Sequence, residues 1–199
     1  MAKREIFMRN FPVLFLYLAL LPAFGCVSTP NARFDTAEMQ QINRIAVMDF
    51  SDAPKAEAAS SGVVVAAALV NELLATKGIT VVERSKLHSL LEEQKLSMIG
   101  LVDEKTAVEA GKILGVNMIV LGSVSEYDTS SIPIFLGLVT YYMDLYNVAG
   151  TMRIINVETG KVVFSGECSA KSKVSYQDAA IDVAKALVKR IQESRGDFQ

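Results

Sequence analysis

Tryptophan is absent from this chain of 199 residues, histidine occurs once and cysteine twice. Each scarcity removes a class of function. A bound metal needs several His, Cys, Asp or Glu converging at set spacings. His88, beside Leu87 on a predicted helix, has no such company and reads as structural or surface. Glu92 and Glu93 are the one adjacent acidic pair on that helix, but neighbouring helical residues point about 100° apart, so sequence alone does not place them in one site. There is no GxSxG, HExxH or CxxC pattern and no phosphate-cradling glycine loop. Gly100, Gly111, Gly115 and Gly122 read as turns, caps and close-packing points. The expectation is a non-enzyme with no catalytic residue, no metal site and no bound cofactor. Basic residues are also few: 20 Lys and Arg stand against 22 Asp and Glu, a net charge of −2. No basic cluster is dense enough to engage phosphates, which argues against a nucleic-acid partner.

What is present begins at the N-terminus. Lys3, Arg4 and Arg9 form a basic head, and Phe11 to Leu21 is an apolar run broken only by Pro12. A bilayer-crossing helix needs about 20 apolar residues, so this run reads as a secretory signal. It ends in Ala23-Phe24-Gly25-Cys26, which resembles a bacterial lipobox, although Phe24 is bulkier than the usual occupant. The resemblance implies diacylglycerol on the Cys26 thiol, cleavage between Gly25 and Cys26, and acylation of the new amine. The only cofactor implied is this covalent lipid. An ordinary signal with a chance cysteine is the competing reading. Val27 stands where inner-membrane retention usually calls for Asp, so outer-membrane sorting is expected. Buried acyl chains contribute about 0.8 kcal/mol per CH2, and stable anchoring takes more than one chain. With Cys26 so assigned, Cys168 is left alone in a predicted strand. It reads as a small buried apolar residue, an intermolecular disulfide being the alternative.

Removing residues 1–25, whose Lys3, Arg4, Arg9 and Glu5 sum to +2, leaves 174 residues at a net −4, the length of one ordinary domain. The expected organisation is a signal peptide over 1–25, the lipidated Cys26 with a short tether over 26–43, and a single domain over 44–199. A flexible tether of this length would span roughly 20–25 Å, and part of it can form a short helix from near Thr36. Arg44 to Phe50 reads as a strand buried on both faces. A helix over about Gly62 to Lys77 turns Ala66, Leu69, Val70, Leu73 and Leu74 inward and stops at Gly78. Thr80 to Glu83 is a second strand, and Ser85 caps the helix carrying Leu87, Leu90 and Leu91. After a turn at Ser97 to Val102, Asp103 caps a third helix through Leu114, with Ala107, Ala110, Gly111 and Leu114 inward. Met118 to Val124 is the third strand.

Beyond it, Tyr127 to Pro133 is polar and Ile134 to Val139 is apolar without clear periodicity. Tyr142 to Val157 and Val162 to Val174 read as strands joined by a turn at Glu158-Thr159-Gly160-Lys161. Ser175 to Arg195 is an amphipathic helix with Ala179, Ala180, Val183, Ala184, Leu187, Val188 and Ile191 inward. The fold class expected is α/β (α+β): a layered βαβααβ unit, then a long β-hairpin and a C-terminal amphipathic helix.

An ordered series of segments is similar to the CsgG/HfaB family of outer-membrane lipoproteins. It runs from Arg44-Ile45-Ala46-Val47-Met48-Asp49-Phe50 through Val82-Glu83-Arg84 and Gly100-Leu101-Val102-Asp103. It continues with Ala110-Gly111-Lys112-Ile113-Leu114-Gly115-Val116-Asn117 and Ile119-Val120-Leu121-Gly122-Ser123-Val124. It closes with Arg153-Ile154-Ile155-Asn156-Val157-Glu158-Thr159-Gly160-Lys161-Val162. The resemblance implies ring assembly and, in the curli-type channels, two membrane hairpins per subunit. A spanning strand needs about 9–11 residues. Ser125 to Val148 is just long enough for a first hairpin but contains Asp128, Pro133 and Asp144. Ser169 to Tyr176 has no room for a second. The barrel strands are therefore expected to be missing, and the loop after the first strand, Ser51 to Ser61, is short.

The function expected is a non-enzymatic, outer-membrane-tethered, periplasm-facing lipoprotein. It would act in envelope assembly or export of surface polymers or proteins through self-association with like subunits and other envelope proteins. Ile132, Ile134, Phe135, Leu136 and Leu138 are the candidate membrane or partner contact, ordinary core being the other reading of that stretch. A pore-forming secretion subunit is an alternative. So is a lipoprotein activator of a penicillin-binding protein, which needs a longer tether.

Overall fold

The computed structural model describes residues 26–27, 31–54, 58–82 and 104–196. Gly25, the expected helix with His88, Glu92 and Glu93, the turn at Gly100 and the Asp103 cap lie outside them. Strands β1 (Cys26–Val27), β2 (Asn31–Phe34), β3 (Arg44–Val47), β4 (Thr80–Val81), β5 (Met118–Leu136), β6 (Val139–Asn156) and β7 (Val162–Ser172) form one sheet. Its order is β1-β7-β6-β5-β3-β4, with β2 also paired to β7. β3 runs parallel to β4 and β5; the other pairs are antiparallel. The helices are α1 (Thr36–Met39), α2 (Ser61–Leu74), α3 (Glu104–Leu114) and α4 (Tyr176–Arg195). This is the mixed α/β architecture expected from the sequence.

Both faces of β3 and the first part of β5 are apolar because helices cover both. Ile45, Val47, Met118 and Val120 join the core beneath α2 and α4, while Ala46, Ile119 and Leu121 join a smaller core beneath α3. All the inward positions expected for α4 are buried. Its Ser175 hydroxyl caps the helix by accepting from the Asp178 amide at 3.1 Å, as an N-cap serine does. In α2 the expected stripe is shifted: Val65 and Ala68 are buried, whereas Leu74 is 60% exposed. Leu74 falls on the outward stripe of the helix with Val63, Ala67 and Asn71, all exposed. Cys168 is buried in β7, as expected.

Two differences from the sequence reading matter for function. The segment read as a tether is built into the sheet: β2 pairs Asn31 to Glu167 and Phe34 to Phe164. Asp35 then caps α1, which starts at the expected Thr36. The third strand does not stop at Val124 but runs on to Leu136, and β6 begins at Val139. Residues read as a polar loop and an aperiodic apolar run are thus two arms of a hairpin.

Candidate functional site

The β5–β6 hairpin pairs without interruption from Glu126–Ala149 to Leu136–Val139, after a bulge between Val124 and Glu126. Gly137 and Leu138 form its two-residue loop. Gly137 has φ +70° while Leu138 keeps an ordinary negative φ, the pattern of a hairpin turn with glycine first. The neighbouring strands end early: β7 pairs with β6 only to Tyr146–Ser172. β3 pairs with β5 only to Val120, followed by a bridge between Ser51 and Ser123. Among the described residues, both outer edges of the distal hairpin therefore lack a strand partner. From the Asp128–Asn147 pair to the Leu136–Val139 pair is eight residues, about 27 Å of strand.

The register assigns opposite chemistry to the two faces, since paired residues share a face and alternate along the strand. On one face lie Ile132 with Met143, Ile134 with Tyr141, and Leu136 with Val139. On the other, which is the α4 side, lie Thr129 with Tyr146, Ser131 with Asp144, Pro133 with Tyr142, and Phe135 with Thr140. Of the expected contact residues, Ile132, Ile134 and Leu136 thus share the apolar face, Phe135 stands on the opposite face, and Leu138 is at the turn. Ile132 is 42% exposed, Phe135 75%, Leu136 66% and Leu138 wholly exposed, while Ile134 is half-buried. The ordinary-core reading of this stretch does not hold.

Asp128, Pro133 and Asp144, which count against a hairpin in the sequence, are each accommodated by register. Ser131 Oγ donates to Asp144 Oδ1 across the strands at 2.6 Å. Asn147 Nδ2 donates to Asp128 Oδ1 at 2.9 Å and to Ser130 Oγ at 3.1 Å. Pro133 lies on a strand with an open outer edge, where a missing N–H is tolerated. Between β7, which ends at Ser172, and α4, which starts at Tyr176, there is no room for a second hairpin.

Tyr176 fixes the hairpin's root and was not singled out by its sequence context. Its ring stacks on Tyr127 with centroids 4.2 Å apart and planes 12° off parallel, and it meets Tyr146 edge-on at 5.0 Å. Its hydroxyl bonds the Thr129 hydroxyl at 2.8 Å. Burial, with Tyr176 beside it, pushes the Tyr127 phenol above its ordinary pKa, so it stays neutral and packs as an apolar group.

Cys26, expected to carry the lipid, is in β1, where it pairs with Lys171. Lys171 pairs with Asn147, and Asn147 with Asp128. One row across the sheet therefore joins Cys26 to the root of the hairpin. Among the described residues no group of His, Cys, Asp and Glu could hold a metal, and no helix is long and apolar enough to cross a membrane. A shallow polar depression of about 250 Å3 lies at Arg33, Thr151 and Glu167 on the exposed part of the sheet.

The family profile described as "Curli production assembly/transport component CsgG" matches residues 31–185. The chain belongs to the CsgG family. No curated protein matches it significantly. Among solved structures, the PelC dodecamer from Paraburkholderia phytofirmans is similar at 14% identity and a TM-score of 0.54, covering 85% of this chain and 98% of that one. Lipoprotein GNA1162 from Neisseria meningitidis is 18% identical with a TM-score of 0.48, covering 75% and 98%. The LpoB C-terminal domain from Salmonella enterica is 17% identical with a TM-score of 0.46, covering 67% and 90%.

Proposed function

We propose that this CsgG-family chain is a non-enzymatic lipoprotein of the outer membrane, held on the periplasmic side through acylated Cys26 and acting in envelope assembly or export by self-association. The observation that carries the reading is the row Cys26–Lys171–Asn147–Asp128. It brings the expected anchor to the root of an exposed, apolar-tipped hairpin at one end of the domain. Self-association is supported by the fold, which PelC presents as a dodecamer, and by the open hairpin edges, since unpaired strand edges are templates for pairing.

The test is fractionation of cells expressing the full chain and its Cys26→Ser variant, with the purified acylated protein imaged in detergent. The wild-type chain is expected in the outer membrane as a ring, and the variant as a folded, soluble periplasmic domain. Firm membrane retention of the variant would sink the lipid-anchor reading, and a monomer in detergent would sink self-association. A pore-forming subunit is the second reading, favoured by the hairpin itself. Steady single-channel conductance of the purified protein in a planar bilayer would select it.

A further inference from the structure

We propose that the hairpin tip, Pro133 to Tyr142, is a second membrane contact that wedges into the leaflet holding the Cys26 acyl chains without crossing the bilayer. This rests on the lipid-anchored reading above and adds to it a partner for the tip, a depth and a fixed orientation.

The occupant follows from chemistry and placement. Thr129 to Met143 is fifteen residues without a charged side chain, and its outermost residue, Leu138, projects wholly exposed from a convex turn. A convex apolar point suits a fluid acyl phase, which closes around it. Placement agrees: β1 is antiparallel to β7, so the N-terminal end of β1 at Cys26 is on the tip side, and the hairpin continues beyond that row in the same direction. Tyr141 and Tyr142 stand a few residues back from the turn and are more than half exposed. There their rings reach headgroup level, where tyrosine is favoured.

Depth follows from where the apolar face ends. It runs from the Ile132–Met143 pair to the turn, roughly 17 Å along the strand. On the same face the next pairs back are Ser130–Leu145 and Asp128–Asn147, where Asn147 Nδ2 donates to Ser130 Oγ and Asp128 Oδ1. At the tilt of about 45° typical of membrane strands, that length reaches some 12 Å down, less than one leaflet of a hydrocarbon core about 30 Å thick. A barrel's outward apolar band is about 25 Å tall, and this face is too short to supply one. Two attachments then hold the domain at one inclination. The turn at Glu158 to Lys161 and the end of α4, where Arg195 bonds the Lys77 carbonyl, face away from the membrane.

The experiment uses the mature acylated chain carrying Leu138→Cys, labelled with an environment-sensitive fluorophore. It is reconstituted in vesicles of phosphatidylethanolamine and phosphatidylglycerol. Cys168 is buried and Cys26 is blocked by its lipid, so labelling is site-specific. The expected result is blue-shifted emission, quenched more by spin label at the top of the acyl chain than by label at its end or by soluble iodide. A Lys161→Cys control is quenched by iodide alone. Strongest quenching by the deep label means a spanning hairpin and overturns the proposal. Iodide quenching at position 138 also overturns it, as does protection from iodide without quenching by either lipid, the signature of a second copy or another protein on the tip. Mass analysis of the N-terminal peptide reads acylation separately, so failure of the anchor and failure of the wedge are distinguishable.

Discussion

Replacing Tyr176 by alanine tests whether the hairpin is held rigidly to the domain. Two ring contacts are lost, the stack on Tyr127 and the edge contact with Tyr146. Each such pair is worth about 0.5–1.5 kcal/mol, with the lower end apt because the cluster is partly exposed. The hydroxyl contact with Thr129 adds about 0.5–1 kcal/mol. The sum is about 1.5–3 kcal/mol for Tyr176→Ala and only the last part of it for Tyr176→Phe. Helix propensity does not confound the comparison, since alanine is the better helix former and the Ser175 cap remains. The assay is urea unfolding of the unacylated Cys26→Ser domain, with amide exchange across 127–146 as the local readout. The alanine variant should lose stability by the stated amount and speed exchange in the hairpin's root, while the phenylalanine variant changes little. Equal loss in the two variants would show that the ring contacts contribute nothing and that Tyr176 acts only through its hydroxyl contact with Thr129.

Other positions give independent checks. A Cβ at Gly122 would lie 2.3 Å from the Phe50 ring, so Gly122→Ala should cost about 1–3 kcal/mol by overpacking. Adding Phe50→Leu should recover part of that in denaturant melts. Gly137 has open space around it but φ +70°. Gly137→Val should therefore destabilise only the hairpin tip, by about 1–2 kcal/mol, seen as faster amide exchange there with an unchanged global melt. Tyr127 has a raised pKa from burial first and Tyr176 second. Its contribution to stability is fully present below the ordinary tyrosine value of about 10 and is lost as pH rises through the folded value. Alkaline titration should show loss of stability in the wild type and a smaller loss in Tyr127→Phe.

The elements legible in the sequence were those with a continuous buried face. The spacing in α4 placed Ala179 through Ile191 correctly because that whole stripe is in the core. The turn at Glu158 to Lys161 was readable from its glycine, and the structure adds the Asn156 carboxamide accepting from the Glu158 and Thr159 amides. What escaped was structure set by partners far away in sequence. β2 is mostly exposed and has no apolar alternation; only its backbone ladder to β7 makes it a strand. In the distal hairpin both arms are exposed, and Asp128 and Asp144 looked like obstacles. Their partners, Asn147 and Ser131, become visible only once register is known. Gly137 within the apolar run was the one local signal that could have divided it into two alternating arms.

That folded N-terminal segment changes what the anchor can do. A free leash would let the domain swing away from the membrane by the full span of the tether. Here β2 is zipped onto β7 from Asn31 to Phe34, and Cys26 pairs in the same antiparallel sense at Lys171. Under the proposed acylation, Cys26 is part of the sheet edge and the domain would stay against the membrane that holds the lipid. A role that requires reaching a distant partner across the envelope, as an activator of a cell-wall synthase would, is disfavoured by this geometry. A role at the membrane surface, with neighbouring copies held at one inclination, is favoured. Detaching β2 by Arg33→Pro, opposite Ser165, removes an N–H directed at β7, since Arg33 shares the ladder parity of Asp35, whose amide donates to the Val163 carbonyl at 2.9 Å, and proline there costs a ladder bond. The variant should remain membrane-bound through its lipid but leave position 138 open to iodide. Continued protection of the tip in that variant would mean that the hairpin finds the bilayer without help from the sheet-bound anchor.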